Sequence, residues 1–289
     1  MYTFETPDPI SVAIELAVGN VDITASDRAD TVVAVLPTNA DHNGDVAAAE
    51  QTAVDFIDGL LRVTSPKGWG QWRPWGGRES VDVHIELPSG SDVRGSAGVV
   101  ALRSAGRVGE LRFKAGAGNV HIDQSGPVRL SVGAGDVDVG HTLGDVDVKT
   151  TGTVRVGTVD GTAVIKNSNG DTSIHDVVGD LRVHAANGNV VVDRARATVV
   201  AKSANGDVQL DAIERGTIVA ETARGTVEVG IRAGVPAWLD LNTAFGTVRN
   251  DLDAAGRPEP GEDAVDVRAR TAFGDITIRR AVMTATEDA

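Results

Sequence analysis

Cysteine is absent from the 289 residues. That removes disulfides, thiolate metal sites, iron–sulfur clusters and cysteine nucleophiles together. Aromatic residues make up only 3%, so a core has to be built from Val, Ile, Leu and Ala. Bases are the minority charge, 27 Lys and Arg against 41 Asp and Glu, for a net charge of −14. Nonspecific binding to nucleic acid or anionic lipid relies on clustered bases and is disfavoured. No apolar run approaches the roughly 18 residues of a spanning helix, so no integral membrane segment is expected. The opening residues, Met1-Tyr2-Thr3-Phe4-Glu5-Thr6-Pro7-Asp8-Pro9, offer neither a basic n-region nor a long apolar stretch. The expected compartment is the cytoplasm.

What is present is a repeat. Gly, then Asp, Asn or Thr, then apolar-any-apolar recurs from Gly118-Asn119-Val120-His121-Ile122 to Gly225-Thr226-Val227-Glu228-Val229, with steps of 17, 17, 18, 18, 18 and 19 residues between the glycines. Weaker copies begin about halfway between, at Gly109, Gly126, Gly144, Gly161, Gly179, Ala197 and Gly216. Nine residues fit one short strand and one turn, whereas a helical face would recur every three to four residues. The Asn-Gly pairs 169–170, 187–188 and 205–206 suit turns needing positive φ. Copies related by translation rather than by mirror symmetry exclude a hairpin meander. The expected fold is therefore all-β: a single-stranded β-helix, or β-solenoid, with about 18 residues and two short strands per coil. A right-handed coil is expected from the general handedness of parallel crossovers.

Residues 1–281 read as one solenoid domain and 282–289 as a flexible tail. Residues 37–80 depart from the repeat and read as a capping or flanking insertion. It should hold a short helix, capped by Asp45 and running to Gln51, and a hairpin turning at Asp58-Gly59. Gly274-Asp275-Ile276-Thr277-Ile278 is the last copy. Trp238, Phe245 and Phe273 read as large core fillers that seal the last coils.

Four sets of residues bear on chemistry. Acids after the turn glycines suggest Ca²⁺ sites, but they skip rungs. Acids two rungs apart are roughly 10 Å apart, too far to share one ion. The column reads as turn capping. No metal or cofactor is expected. A second column, four residues before the main glycines, carries Lys114, Ser131, Lys166, His184, Lys202 and Glu221, with Lys149 displaced by one. It is either a solvated face or a stripe for an anionic polymer or acidic partner. The six histidines show no metal spacing, and neither a Gly-x-Ser-x-Gly elbow nor a phosphate loop occurs. The anomaly is Trp69-Gly70-Gln71-Trp72-Arg73-Pro74-Trp75, which concentrates three of four tryptophans in seven residues. Such a segment could be a protein-binding hot spot, a carbohydrate platform, a membrane-interface anchor or a plug for the solenoid.

The Gly-Asp/Asn-Val-x-Val units, Ser168-Asn169-Gly170-Asp171, Ala204-Asn205-Gly206-Asp207 and residues 80–88 resemble a bacterial β-strand-repeat family of unknown function whose members are described as candidate adhesins. The resemblance covers roughly residues 10–281. It implies a single-stranded β-helix and, for some members, adhesion or envelope-stress roles. It implies no catalytic residues. The leading expectation is a non-enzymatic binding or scaffold protein. It would present Trp69, Trp72, Arg73, Trp75, Lys114, Lys166 and Lys202 to a protein partner, and homo-oligomers could form through the solenoid ends. The alternatives are an adhesin or glycan-binding protein, and a carbohydrate-active β-helix enzyme.

Overall fold

The computed structural model describes residues 1–65, 79–252 and 264–281. The segment holding Trp69, Trp72, Arg73 and Trp75, and the tail 282–289, lie outside the described residues. The chain divides into two compact units, Met1–Thr151 and Gly152–Ala289.

Unit 1 begins with β1 (Tyr2–Glu5), β2 (Ser11–Ser26), β3 (Asp30–Pro37), α1 (Asn43–Gln51), β4 (Ala53–Ile57), β5 (Leu60–Thr64) and β6 (Val81–Pro88). It continues with β7 (Asp92–Val108), β8 (Leu111–Ala117), β9 (Val120–Ser125), β10 (Val128–Ala134), β11 (Val137–Thr142) and β12 (Val146–Thr150). From β7 onward each strand pairs in parallel with the strand two positions later. Val128 is in register with Leu111 on one side and Val146 on the other, and Val137 is in register with Val120. This is the two-strand coil of a β-solenoid. The alternation decides the faces: Leu111, Phe113, Leu130 and Val148 point inward and are at most 1% exposed, while Arg112, Lys114, Arg129 and Lys149 between them are exposed. Phe113 is the one fully buried aromatic among the described residues. Its ring occupies the space where a Cβ on Gly95 would fall, 2.3 Å away. One rung thus supplies the large group and its neighbour supplies none.

The N-terminal end of unit 1 does not follow chain order. β2 lies between β7 on one side and β5 and β6 on the other. β4 covers the outer edge of β5, and β3, itself paired with β1, covers β6; all three pairings are antiparallel. The helix and the hairpin stand where expected, and Asp58 and Gly59 both have positive φ at the hairpin turn. The helix cap is corrected. His42 is the N-cap, accepting from the Asp45 backbone N–H, whereas Asp45 lies inside the first turn.

Unit 2 holds β13 (Val154–Val159), β14 (Ala163–Asn169), β15 (Thr172–Val177), β16 (Leu181–Asn187), β17 (Val190–Ala195), β18 (Val199–Asn205) and β19 (Val208–Ile213). It ends with β20 (Gly216–Arg224), β21 (Val227–Ile231), β22 (Ala237–Phe245), β23 (Val248–Asn250), β24 (Val265–Phe273) and β25 (Ile276–Arg280). Ala163, Leu181, Val199, Ile218 and Val267 stack in one column, in register across five strands, and all are 0% exposed. Small β-branched and aliphatic groups fill the interior, which accounts for the composition.

At the C-terminal end of unit 2 the order inverts again. β24 pairs with β20 and β22, and β25 with β21 and β23. The last repeat in sequence is therefore inserted one rung inside the coil that precedes it. Trp238, Phe245 and Phe273 do not seal the core. They are 57%, 67% and 52% exposed: Trp238 falls on an outward position, whereas Phe245 and Phe273 stand immediately before the turn glycines Gly246 and Gly274, where the strand leaves the core. Phe245 and Phe273 share a register position and stack face to face at 5.0 Å.

Candidate binding faces

The turn column works between rungs. Asp171 accepts from the Asn189 backbone N–H at 2.8 Å, Asn189 from Asp207 N–H at 2.9 Å and Asp207 from Thr226 N–H at 2.7 Å. Asp275 accepts the Thr247 backbone N–H and hydroxyl, which hold its carboxyl below the usual range. Alternating Asn or Thr with Asp keeps like charges off adjacent rungs. The Asn residues before the turn glycines do a different job from the one expected. They lack positive φ, which the glycines carry alone, and instead form an amide ladder from Asn205 to Asn187 to Asn169 at 3.0 and 2.8 Å.

An inward polar column was missed from sequence. Asn167 donates to the carbonyls of Gly152 and Gly170, both at 2.8 Å. Thr222 donates to Gly206 and Thr271 to Gly225, at 2.8 and 3.0 Å. Each satisfies a turn carbonyl that the ladder leaves open. The available signal was a polar residue at an inward position three residues before a turn glycine.

The outward residues form the candidate binding surface. In unit 2, Lys166, His184, Lys202, Glu221 and Arg270 share one column, and Lys202 pairs with Glu221 at 2.7 Å. In unit 1 the corresponding column is Ser96, Lys114, Ser131 and Lys149. Lys149 is thus in register and not displaced. The coil is one residue shorter between Lys149 and Gly152, so counting back from the glycine misplaces it. The adjacent column of unit 1 stacks Arg94, Arg112 and Arg129 on successive rungs, followed by Asp147. Arg112 pairs with Glu110 at 2.5 Å and Arg129 with Asp147 at 3.7 Å. The histidines sit singly beside acids, as in His175–Asp193 at 2.8 Å and His84–Asp22 at 3.3 Å. Among the described residues no group of three or more His, Asp or Glu converges to hold a metal ion. No helix is long and apolar enough to cross a membrane, again among the described residues.

A two-strand coil of 17–19 residues, glycine turns and inward Val, Ile and Leu columns run through both units. The family model described as Toastrack DUF4097 matches residues 11–279. The chain belongs to the Toastrack DUF4097 family. Solved structures similar to this Toastrack chain include a candidate adhesin from Parabacteroides merdae, 12% identical, covering 97% of this chain and 95% of that one, with a TM-score of 0.41. A second, from Parabacteroides distasonis, is 12% identical over 96% and 95%, with a TM-score of 0.41. A third, from Bacteroides fragilis, is 13% identical over 96% and 95%, with a TM-score of 0.30. Likenesses this distant carry no function across. No curated protein matches the chain.

Proposed function

We propose that this Toastrack DUF4097 chain is a non-enzymatic binding or scaffold module that presents exposed columns of a β-solenoid, together with its Trp-rich segment, to a protein partner. The observation that supports this is the unit 2 column Lys166–His184–Lys202. Three outward bases stand on consecutive rungs, in a geometry fixed by the 0%-exposed residues beneath them. Rungs spaced about 4.8 Å apart hold such groups without loop rearrangement, which lowers the ordering cost of binding. Trp69, Trp72 and Trp75 supply the aromatic anchors that protein interfaces favour.

The test compares cross-linked partners of three proteins from native-organism lysate. They are wild type, Trp69→Ala/Trp72→Ala/Trp75→Ala and Lys166→Glu/Lys202→Glu, each first shown to melt like wild type. A protein captured by wild type and lost from either variant, with its cross-links on the altered element, is the expected result. Identical captures by all three would overturn the reading.

A further inference from the structure

We propose that unit 1 carries a track for a linear, carboxylated glycan, running across the strands over Arg94, Arg112, Lys114, Arg129 and Lys149. This site goes beyond the protein-partner reading and does not rest on it. All five side chains are exposed and on the same outward face of β7, β8, β10 and β12. Their arrangement is a band rather than a patch. One column reads Arg94, Arg112, Arg129, Asp147, and the next reads Ser96, Lys114, Ser131, Lys149. Asp92 and Glu110 lie toward the start of the strands, two residues before Arg94 and Arg112. On the far side runs a strip without side chains. A Cβ on Gly116 would stand 2.6 Å from the Gly98 carbonyl oxygen, and one on Gly133 would stand 2.3 Å from that of Gly116.

Three observations point to an anionic occupant of this shape. First, the protein spaces its acids along the turn column but stacks three arginines on consecutive rungs. Like charges directly opposite one another across a strand pair destabilise a sheet; Glu110 and Asp147 offset this at Arg112 and Arg129, while Arg94 keeps no such partner among the described residues. Second, Arg94, Lys114 and Lys149 make no ion pair among the described residues. Their heads are available to an external carboxylate, which Arg can grip with two parallel hydrogen bonds. Third, the unpaired Lys114 and Lys149 stand two rungs apart, about 9.6 Å, along a direction perpendicular to the strands. A two-fold chain of pyranose acids turns each sugar over relative to the last, so its same-side carboxylates recur every second sugar, about two rungs. An extended acidic polypeptide does not match, because its same-face side chains repeat every 6.8 Å or so. A flat anionic membrane does not match either, since the acids flanking the band would face it. The glycine strip leaves room for the sugar rings to lie against the sheet beside the carboxylates.

The experiment is titration calorimetry at low and at physiological salt with polygalacturonate. Its fully methyl-esterified form and polyglutamate serve as comparison polymers. Wild type should bind polygalacturonate, lose it to the neutral ester, and bind polyglutamate at least about tenfold more weakly. The variant Arg94→Gln/Lys114→Gln/Lys149→Gln spares both ion-paired arginines and should weaken binding by at least about tenfold, the equivalent of one charge-assisted contact. Arg103→Gln/His121→Gln, on the other strand stack of unit 1, should leave binding unchanged. Should the triple variant fail to fold, Arg94→Gln/Lys149→Gln answers the same question. Absence of polygalacturonate binding, binding unchanged in the track variants, or equal affinity for polyglutamate would each overturn the proposal.

Discussion

Replacing Gly188 with alanine should cost far more than the same change at Gly234, although both residues need positive φ. Gly188 has φ of 127° and Gly234 has φ of 83°, and either value strains an L-residue by about 1–3 kcal/mol. The surroundings differ. A Cβ at Gly188 would lie 2.2 Å from the Gly170 carbonyl oxygen and 2.5 Å from its carbon, both backbone atoms of the next rung. At Gly234 nothing lies within 4 Å. Relief at Gly188 requires the two rungs to part, which loosens the bonds from Gly170 N–H to Asn187 and from Thr172 N–H to Asn189, 3.0 and 2.8 Å long. At about 1 kcal/mol each, with the backbone strain added, the loss is roughly 3–5 kcal/mol. For a chain of this length that corresponds to a fall of about 5–8 °C in the melting midpoint. Gly234→Ala should lower the midpoint by only about 2–5 °C. Calorimetric melting of wild type and both variants makes the comparison. Equal losses would refute the claim that the neighbouring carbonyl, rather than the backbone angle, enforces glycine at the turns.

Asn167→Ala leaves the carbonyls of Gly152 and Gly170 without their side-chain donor. It should cost about 2 kcal/mol in urea unfolding, whereas the exposed ladder residue Asn187 should cost less than half of that. Asp45 is 5% exposed. Burial alone would raise its pKa, but the Ser80 N–H, the His42 ring and the Asn39 N–H outweigh burial and hold the carboxyl below its usual range. Its folded pKa is thus below the unfolded one, so its stabilisation is present above about pH 4 and lost as pH falls through the folded value. Asp45→Asn should melt lower at neutral pH and flatten the acid limb of the pH–stability curve. Arg279 on β25 contacts Asp211 at 2.6 Å and also pairs with Glu228, tying the inserted coil to two earlier rungs. Arg279→Gln should cost about 1 kcal/mol, with a smaller difference from wild type in high salt.

The register was legible because the turn chemistry repeats with the core. Gly188-Asn189-Val190-Val191-Val192 states a turn, a rung-to-rung acceptor and two inward residues in five letters. The helix at residues 43–51 and the turn at Asp58-Gly59 were legible for similarly local reasons. Strand order at the unit ends was not. The Gly274 copy looks like any other rung, and nothing within it says that β24 pairs with both β20 and β22. Trp238 is exposed by outward parity, while Phe245 and Phe273 share the inward parity of Thr243 and Thr271 but stand at the turn, so hydrophobicity alone misplaces all three. The Arg94–Arg112–Arg129 stack was hidden for another reason. It lies two residues before the lysine column, so only the observed register of unit 1 brings the three side chains onto one line.

The inverted order at the unit ends has a physical consequence for the terminal repeats. In a solenoid wound strictly in chain order, the first and last strands would also be the outermost, pinned on one side and free to fray. Here β2 is held between β7 and the β5–β6 coil, and β25 between β21 and β23. At the C-terminal end of unit 2 the outermost coil is instead the mid-chain segment β22–β23, while at the N-terminal end of unit 1 the edge strands are β1 and β4. To peel β22 and β23 away, the chain must open a stretch anchored at both ends, by β21 and by β24, rather than release a loose terminus. The interior burial follows the spatial order and not the chain order: Val267, Ile276 and Ile278 are 0% exposed, whereas Val248 on β23 is 47% exposed. Hydrogen exchange should therefore protect the Thr277 and Ile278 amides as strongly as those of Glu228 and Val229 in β21, and release Arg249 in β23 first. If β25 instead exchanged ahead of β23, the last repeat would occupy the outer rung in solution, and the pinned arrangement would be wrong.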